Sequence, residues 1–99
     1  MEQGEKEIMF RLEISPDAFK ELSKLDESIK PRITEKIEWL AVNADKILHH
    51  KLSNLPKHLQ GLCKRREGNY RILYWVYPHQ QVVKIYGIIH RSSEYDILR

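Results

Sequence analysis

Gly68-Asn69 restricts the fold of this chain more than any other feature, because it lies between two runs of strand-forming residues, Leu62–Glu67 and Tyr70–Tyr77. Glycine followed by asparagine at that spacing is a two-residue hairpin signal. A turn there fixes the register: Arg66 faces Arg71, and Lys64 lies one step along the same face. Like charges opposed across two strands are destabilising. Three cations gathered on one face of a sheet therefore point to an anionic ligand, with phosphate the first choice.

The flanking sequence supplies the rest of a small α+β domain. Phe10, Leu12 and Ile14 alternate with Arg11 and Glu13, as in a short strand with one buried face. Ser15-Pro16-Asp17 reads as a helix start: a capping serine, a proline suited to the first helical position, and an acid at the positive end of the dipole. Phe19, Leu22 and Leu25 form that helix's apolar stripe. Ile29, Ile33, Ile37, Leu40, Ala41, Ala44 and Leu48 recur at steps of three and four, which predicts a longer helix capped by Ser28. After a connection containing Pro56 come strands over 62–67, 70–77 and 82–90. The expected order is strand, two-helix hairpin, then a three-stranded antiparallel meander, with the helices packed on one sheet face.

Two-residue loops would pair 66 with 71, 77 with 82 and 71 with 88. Tyr70, Ile72, Tyr74, Val76, Val83, Ile85 and Ile89 then face the helices. Lys64, Arg66, Arg71, Leu73, Trp75, Lys84, Tyr86 and His90 share the other face. Basic residues interleaved with aromatics suit single-stranded nucleic acid. A slip of one residue would exchange the faces.

The 99 residues make one domain, 1–99, with 1–7 read as a frayed polar tail. An apolar fraction of 41% and a charged fraction of 31% exclude a disordered chain. No apolar run approaches the roughly 18 residues of a membrane helix, and the polar N-terminus lacks a signal-peptide layout. A cytoplasmic location with no membrane partner is expected. Cys63 is the single cysteine, so there is no internal disulfide, and it reads as a buried apolar residue. His49-His50 point apart, and no Cys or His spacing resembles a zinc site; neither metal nor cofactor is expected. The net charge is only +3, but residues 49–71 carry Lys51, Lys57, Lys64, Arg65, Arg66 and Arg71 against Glu67 alone. Such a patch fits nucleic-acid binding.

A basic residue, x, then Arg-x-Gly-x-Tyr-Arg at the hairpin, with His-Arg-x-x-x-Tyr at residues 90–95, resembles the RelE/ParE superfamily of type II toxins. The resemblance covers about residues 8–98. It implies a toxin silenced by a cognate antitoxin that is acidic and partly disordered, with operator DNA contacted only through that antitoxin. The RelE branch cleaves messenger RNA in the ribosomal A site without a metal, whereas the ParE branch poisons DNA gyrase. The resemblance carries basic hairpin positions onto Lys64, Arg66 and Arg71, and C-terminal positions onto Arg91 and Tyr95, with His90 just before that arginine. One position departs: a RelE nuclease has two lysines two residues apart in the first hairpin strand, and the earlier one is Leu62 here.

Cleaving RNA in this way requires a base for the ribose 2′-OH, a stabiliser of charge on phosphorus, and an acid for the leaving 5′-oxygen. Arginine suits the second task, because its guanidinium fork bonds phosphate oxygens and stays charged. Arg71 is the first choice there, with Arg91 and Arg66 behind it. Lys64, His90 and Tyr95 are the candidates for proton transfer, since neighbouring cations disfavour a charged lysine and imidazole needs no tuning. Tyr95 is also a candidate for stacking on a base. Lys51, Lys57, Arg65, Arg66, Lys84 and Trp75 are expected to contact RNA. Three functions remain open: a ribosome-dependent endonuclease, a gyrase-poisoning protein without chemistry of its own, and an inactive co-repressor that binds antitoxin.

Overall fold

The first helix starts as its residue types require. Ser15 Oγ accepts from the Ala18 N–H at 3.1 Å, and Pro16 opens the helix. The computed structural model describes residues 9–93. The chain runs β1 (Arg11–Ile14), α1 (Pro16–Ser23), α2 (Lys30–Asn43), β2 (His50–Lys51), β3 (Cys63–Glu67), β4 (Tyr70–Tyr77) and β5 (Val82–His90), with 3-10 turns at Lys57–Leu59 and Arg91–Ser93. The strands form one sheet in the order β1-β5-β4-β3-β2; β1 is parallel to β5 and the other neighbours are antiparallel. This is the expected α+β architecture with one addition. The connection after α2 contributes the two-residue strand β2, which pairs His50 with Lys64 and Lys51 with Cys63.

The helices cover one sheet face. Ile33, Ile37, Leu40 and Ala44 of α2, and Ala18 of α1, bury against Cys63, Ile72, Tyr74, Val83, Ile85 and Ile88. The 52–60 connection covers part of the other face, where Leu55 and Leu59 pack with Leu62, Leu73 and Ile89. The core is thus divided by the sheet, and the smaller half lies under a loop.

Three local expectations need correction. The long helix ends at Asn43, so Leu48 falls beyond it and is exposed, and Phe19 also faces solvent. Ile29, without a side-chain cap bond, stands at the helix start, while Ser28 Oγ donates to Asp26 Oδ2 at 2.7 Å. The third correction concerns register. Arg66 pairs with Arg71 and Tyr77 with Val82, as expected, but Arg71 pairs with Ile89 and not with residue 88. The cause is a bulge: Tyr74 pairs with Ile85 and Leu73 with Gly87, leaving Tyr86 as the extra residue. Glu21 of α1 stabilises it by accepting the Ile88 N–H at 2.9 Å. A Cβ at Gly87 would lie 3.2 Å from Glu21 Oε1, so a larger residue there would press on the carboxylate that holds the bulge. Beyond the bulge the faces exchange. Ile88 joins the helix-covered core and Ile89 joins the opposite one.

Candidate functional site

The hairpin turn places the basic residues. Gly68 has φ +59°, as a type II′ turn demands of its first central residue. The register then aligns two short rows on the face away from the helices. His50, Lys64 and Leu73 form one row, and Arg66, Arg71 and Ile89 form the next. Directly opposed residues have Cβ atoms about 5 Å apart, and the rows lie about 7 Å apart along the strands. The four basic side chains therefore fit within the dimensions of a phosphodiester group and its two riboses. They border a cleft of about 400 Å³ lined by His50, Lys64, Arg65, Arg66 and Arg71, all of them basic side chains.

Arg71 is the most enclosed charge of this group, with only 7% of its surface exposed. Its Nη1 donates to the carbonyls of Gly68 at 3.2 Å and Tyr70 at 2.9 Å. The guanidinium is thereby tied to the turn itself, which fixes its position. Arg66 is exposed and opposes it across the strands. Lys64 is half-buried one row away.

Leu62, where the family pattern has a lysine, is fully buried under Leu55 and Leu59. Its leucine is a core residue of the loop-covered half. Conversion to lysine would bury an ammonium in an apolar cluster.

The other expected site residues divide sharply. Arg91 follows β5, and its backbone N–H donates to Asn69 O at 2.8 Å, which brings this stretch beside the hairpin turn. Tyr95 lies outside the described residues. His90, expected on the Arg71 face, is carried by the bulge to the other one. Its ring meets Tyr70 edge-on at 5.2 Å, and its Nδ1 accepts the Ser92 N–H at 3.2 Å. That bond leaves the proton of the neutral ring on Nε2.

Arg65 lines the cleft and is also tied to the helices. Its side chain runs to the helix side, where Nη2 donates to Leu48 O at 2.9 Å and the guanidinium lies 5.6 Å from the Trp39 ring. Its Nε is buried with no hydrogen-bond partner among the described residues. Arg65 therefore holds the chain before β2 against α2. Lys51 pairs with Cys63 and so lies on the helix side of the sheet edge, while Lys57 is exposed on the covering loop. Trp75 and Lys84 are opposed to each other farther along the sheet, with Lys84 Nζ 5.9 Å from the indole. The Trp75 Nε1–H donates to Gln60 O at 3.0 Å, and the ring meets Tyr86 edge-on at 5.3 Å. The indole anchors the covering loop.

His49 and Tyr74 form a polar pair that the sequence did not reveal. His49 Nε2 donates to Ala44 O at 2.7 Å, so Nδ1 accepts the Tyr74 hydroxyl at 2.8 Å. Burial pushes the Tyr74 phenol up, opposed by the Arg65 guanidinium. Burial likewise pushes the Cys63 thiol up, against the nearby Lys51 and Arg65 charges. Both are packing groups. No signal separates His49 from His50 in sequence; only the inward hydrogen bonds of His49 decide which of the two faces the cleft.

Comparison with known proteins supplies the context. A family model described as the ParE toxin of the type II toxin–antitoxin system parDE matches residues 12–95. Among solved structures, the toxin–antitoxin complex RelBE2 from Mycobacterium tuberculosis is similar at a TM-score of 0.71 and 23% identity, covering 90% of this chain and 99% of that one. A mutant E. coli toxin RelE in the free state matches at 0.66 and 22% identity, covering 91% and 93%. The archaeal RelE–RelB complex from Pyrococcus horikoshii matches at 0.64 and 24% identity, covering 84% and 96%. No curated protein sequence matches significantly.

Proposed function

Starting from the membership of this chain in the ParE toxin family of type II toxin–antitoxin systems, we propose that it is a ribosome-dependent messenger RNA endonuclease. The observation that carries this reading is the basic cleft of His50, Lys64, Arg66 and Arg71 on one sheet face. Arg71, fixed to the turn carbonyls, and Arg66 opposite it hold the non-bridging oxygens of the scissile phosphate. A guanidinium already in position stabilises charge that grows in the transition state without having to reorganise. The ribose 2′-oxygen loses its proton, bonds to phosphorus and expels the 5′-oxygen, which takes up a proton. The products are a 2′,3′-cyclic phosphate and a free 5′-hydroxyl. Lys64 is one proton-transfer group, and the Arg91 region beside the turn adds positive charge. This chemistry draws on protein side chains and needs no cofactor or metal.

A cognate antitoxin neutralises the toxin. Its acidic, partly disordered segment lies over the basic face, and association slows as salt rises. Operator DNA is reached through that antitoxin, and the site of action is the cytoplasm.

The second reading is inhibition of DNA gyrase. The ParE description of the matching family model favours it, as does a buried leucine where RelE nucleases carry a lysine. Induced expression of wild type, Arg71→Ala and the exposed-site variant Arg66→Ala in a bacterial host, with primer extension on a translated message, separates the two. Growth arrest with cuts inside codons, lost or strongly reduced in both variants, is expected. Growth arrest with intact messages moves the target to gyrase.

A further inference from the structure

We propose that His50 is the catalytic base of this site, an inference that rests on the endonuclease reading above. His50 faces Lys64 directly across β2 and β3, and it lines the same cleft as Arg66 and Arg71. Its neighbour His49 is held inward by Ala44 O and the Tyr74 hydroxyl. Successive side chains along an extended chain alternate, so anchoring His49 inward turns His50 outward to the cleft.

The chemistry of the cleft leaves a place for such a group. Guanidinium stays protonated in proteins, so Arg66 and Arg71 stabilise charge and cannot act as the base. Leu62 is fully buried, which removes the second lysine of the RelE pattern. His90 stands on the other face, with its Nδ1 engaged by Ser92. Imidazole is the side chain that ordinarily takes and returns a proton near neutral pH.

The step balances with two groups. A ring nitrogen of neutral His50 takes the 2′-hydroxyl proton as the 2′-oxygen bonds to phosphorus. The Lys64 ammonium gives its proton to the departing 5′-oxygen as the phosphorus–oxygen bond breaks. Afterwards His50 is protonated and Lys64 neutral, and exchange with solvent resets both.

The test is single-turnover cleavage of a short messenger RNA programmed in the ribosomal A site, measured from about pH 5.5 to 9. Wild type, His50→Ala and His50→Gln are compared. Pelleting with ribosomes measures binding, and thermal melting reports folding. The expected result is a rate about 10²–10⁴-fold lower in both variants, with binding and melting close to wild type. The wild-type rise of rate through neutral pH is lost, and added free imidazole partly restores the His50→Ala rate. Cleavage by His50→Ala at the wild-type rate overturns the assignment and leaves the endonuclease reading standing. So does a reduced rate that keeps the wild-type pH profile, because His50 then supplies only charge. If wild type leaves the message intact, the endonuclease reading falls and the role of His50 falls with it.

Discussion

The two faces of this sheet are built on opposite terms. The helix-covered face is a continuous core of Ile, Leu, Val and Ala, with its one buried hydroxyl–imidazole pair fully bonded. The other face is divided within its rows. Under the 52–60 connection it is as apolar as the first, with Leu62, Leu73 and Ile89 buried. Across the strands toward the β2 edge the same rows become basic, with Lys64 beside Leu73, and Arg66 and Arg71 in the row of Ile89. The helices supply stability, and the loop sets how much of the second face is covered.

That boundary can be broken at Leu62. Leu62→Lys restores the lysine of RelE nucleases, yet the site is fully buried in an apolar cluster. The expected outcome is destabilisation by about 3–5 kcal/mol, the scale of an unpaired buried charge, read from the urea midpoint. Activity should fall with the folded fraction. A variant that melts like wild type would show that the loop leaves this position open.

Arg71→Ala tests the other side of the boundary. Loss of a preorganised charge stabiliser is expected to lower message cleavage about 10²–10³-fold. Arg71→Lys should recover only a small part of this, because one ammonium cannot reproduce the fork held by the Gly68 and Tyr70 carbonyls. Equal activity in Arg71→Lys and wild type would mean that the position needs charge alone.

Much of this division was legible in the residues, and the failures have identifiable causes. Gly68-Asn69 gave the hairpin, and with it the opposition of Arg66 and Arg71. The period of Ile33, Ile37, Leu40 and Ala44 gave the helix-covered core. The register failed beyond the bulge. Gly87 inside a strand was the available signal, but the partner that fixes the bulge is Glu21, which is 67 residues away from Ile88. Only tertiary contact reveals it, and it alone moves His90 off the Arg71 face. β2 was missed for a different reason. Two residues carry no period, so His50 became a cleft residue only through its pairing with Lys64. Arg65, one of three consecutive basic residues, alternates to the helix side and finds Leu48 O and Trp39 there. A charge run along a strand belongs to both faces, and composition cannot divide it.

The helix-covered face should respond first in stability. Tyr74→Phe removes the donor to His49 Nδ1 and is expected to cost about 1–3 kcal/mol, while the Ala44 carbonyl still holds His49 Nε2. Alkaline pH probes the same face. Burial raises both Cys63, from 9.0, and Tyr74, from 10.0. The folded state therefore holds these protons more tightly than the unfolded chain. The stability this contributes is complete below about pH 9 and declines as pH rises through the unfolded values towards the folded ones. Equilibrium urea unfolding at stepped pH should show the fall, and Tyr74→Phe should show a shallower one. A decline of equal steepness in both proteins would place its origin elsewhere in the fold.

The smallest effect tests the cover itself. Trp75→Phe removes the Nε1–H that reaches Gln60 O at 3.0 Å, and the expected cost is about 1 kcal/mol. Its value lies in its position, because it loosens the connection over Leu62, Leu73 and Ile89 without touching Lys64, Arg66 or Arg71. If the loop only covers apolar surface, RNA cleavage stays within about twofold of wild type once the folded fraction is corrected for, matching a loss confined to stability. If cleavage falls tenfold, the loop also positions β2, and with it His50 opposite Lys64. The cover and the cleft would then be one mechanical unit, and the boundary between the two halves of this face would be a hinge for the site and not its limit.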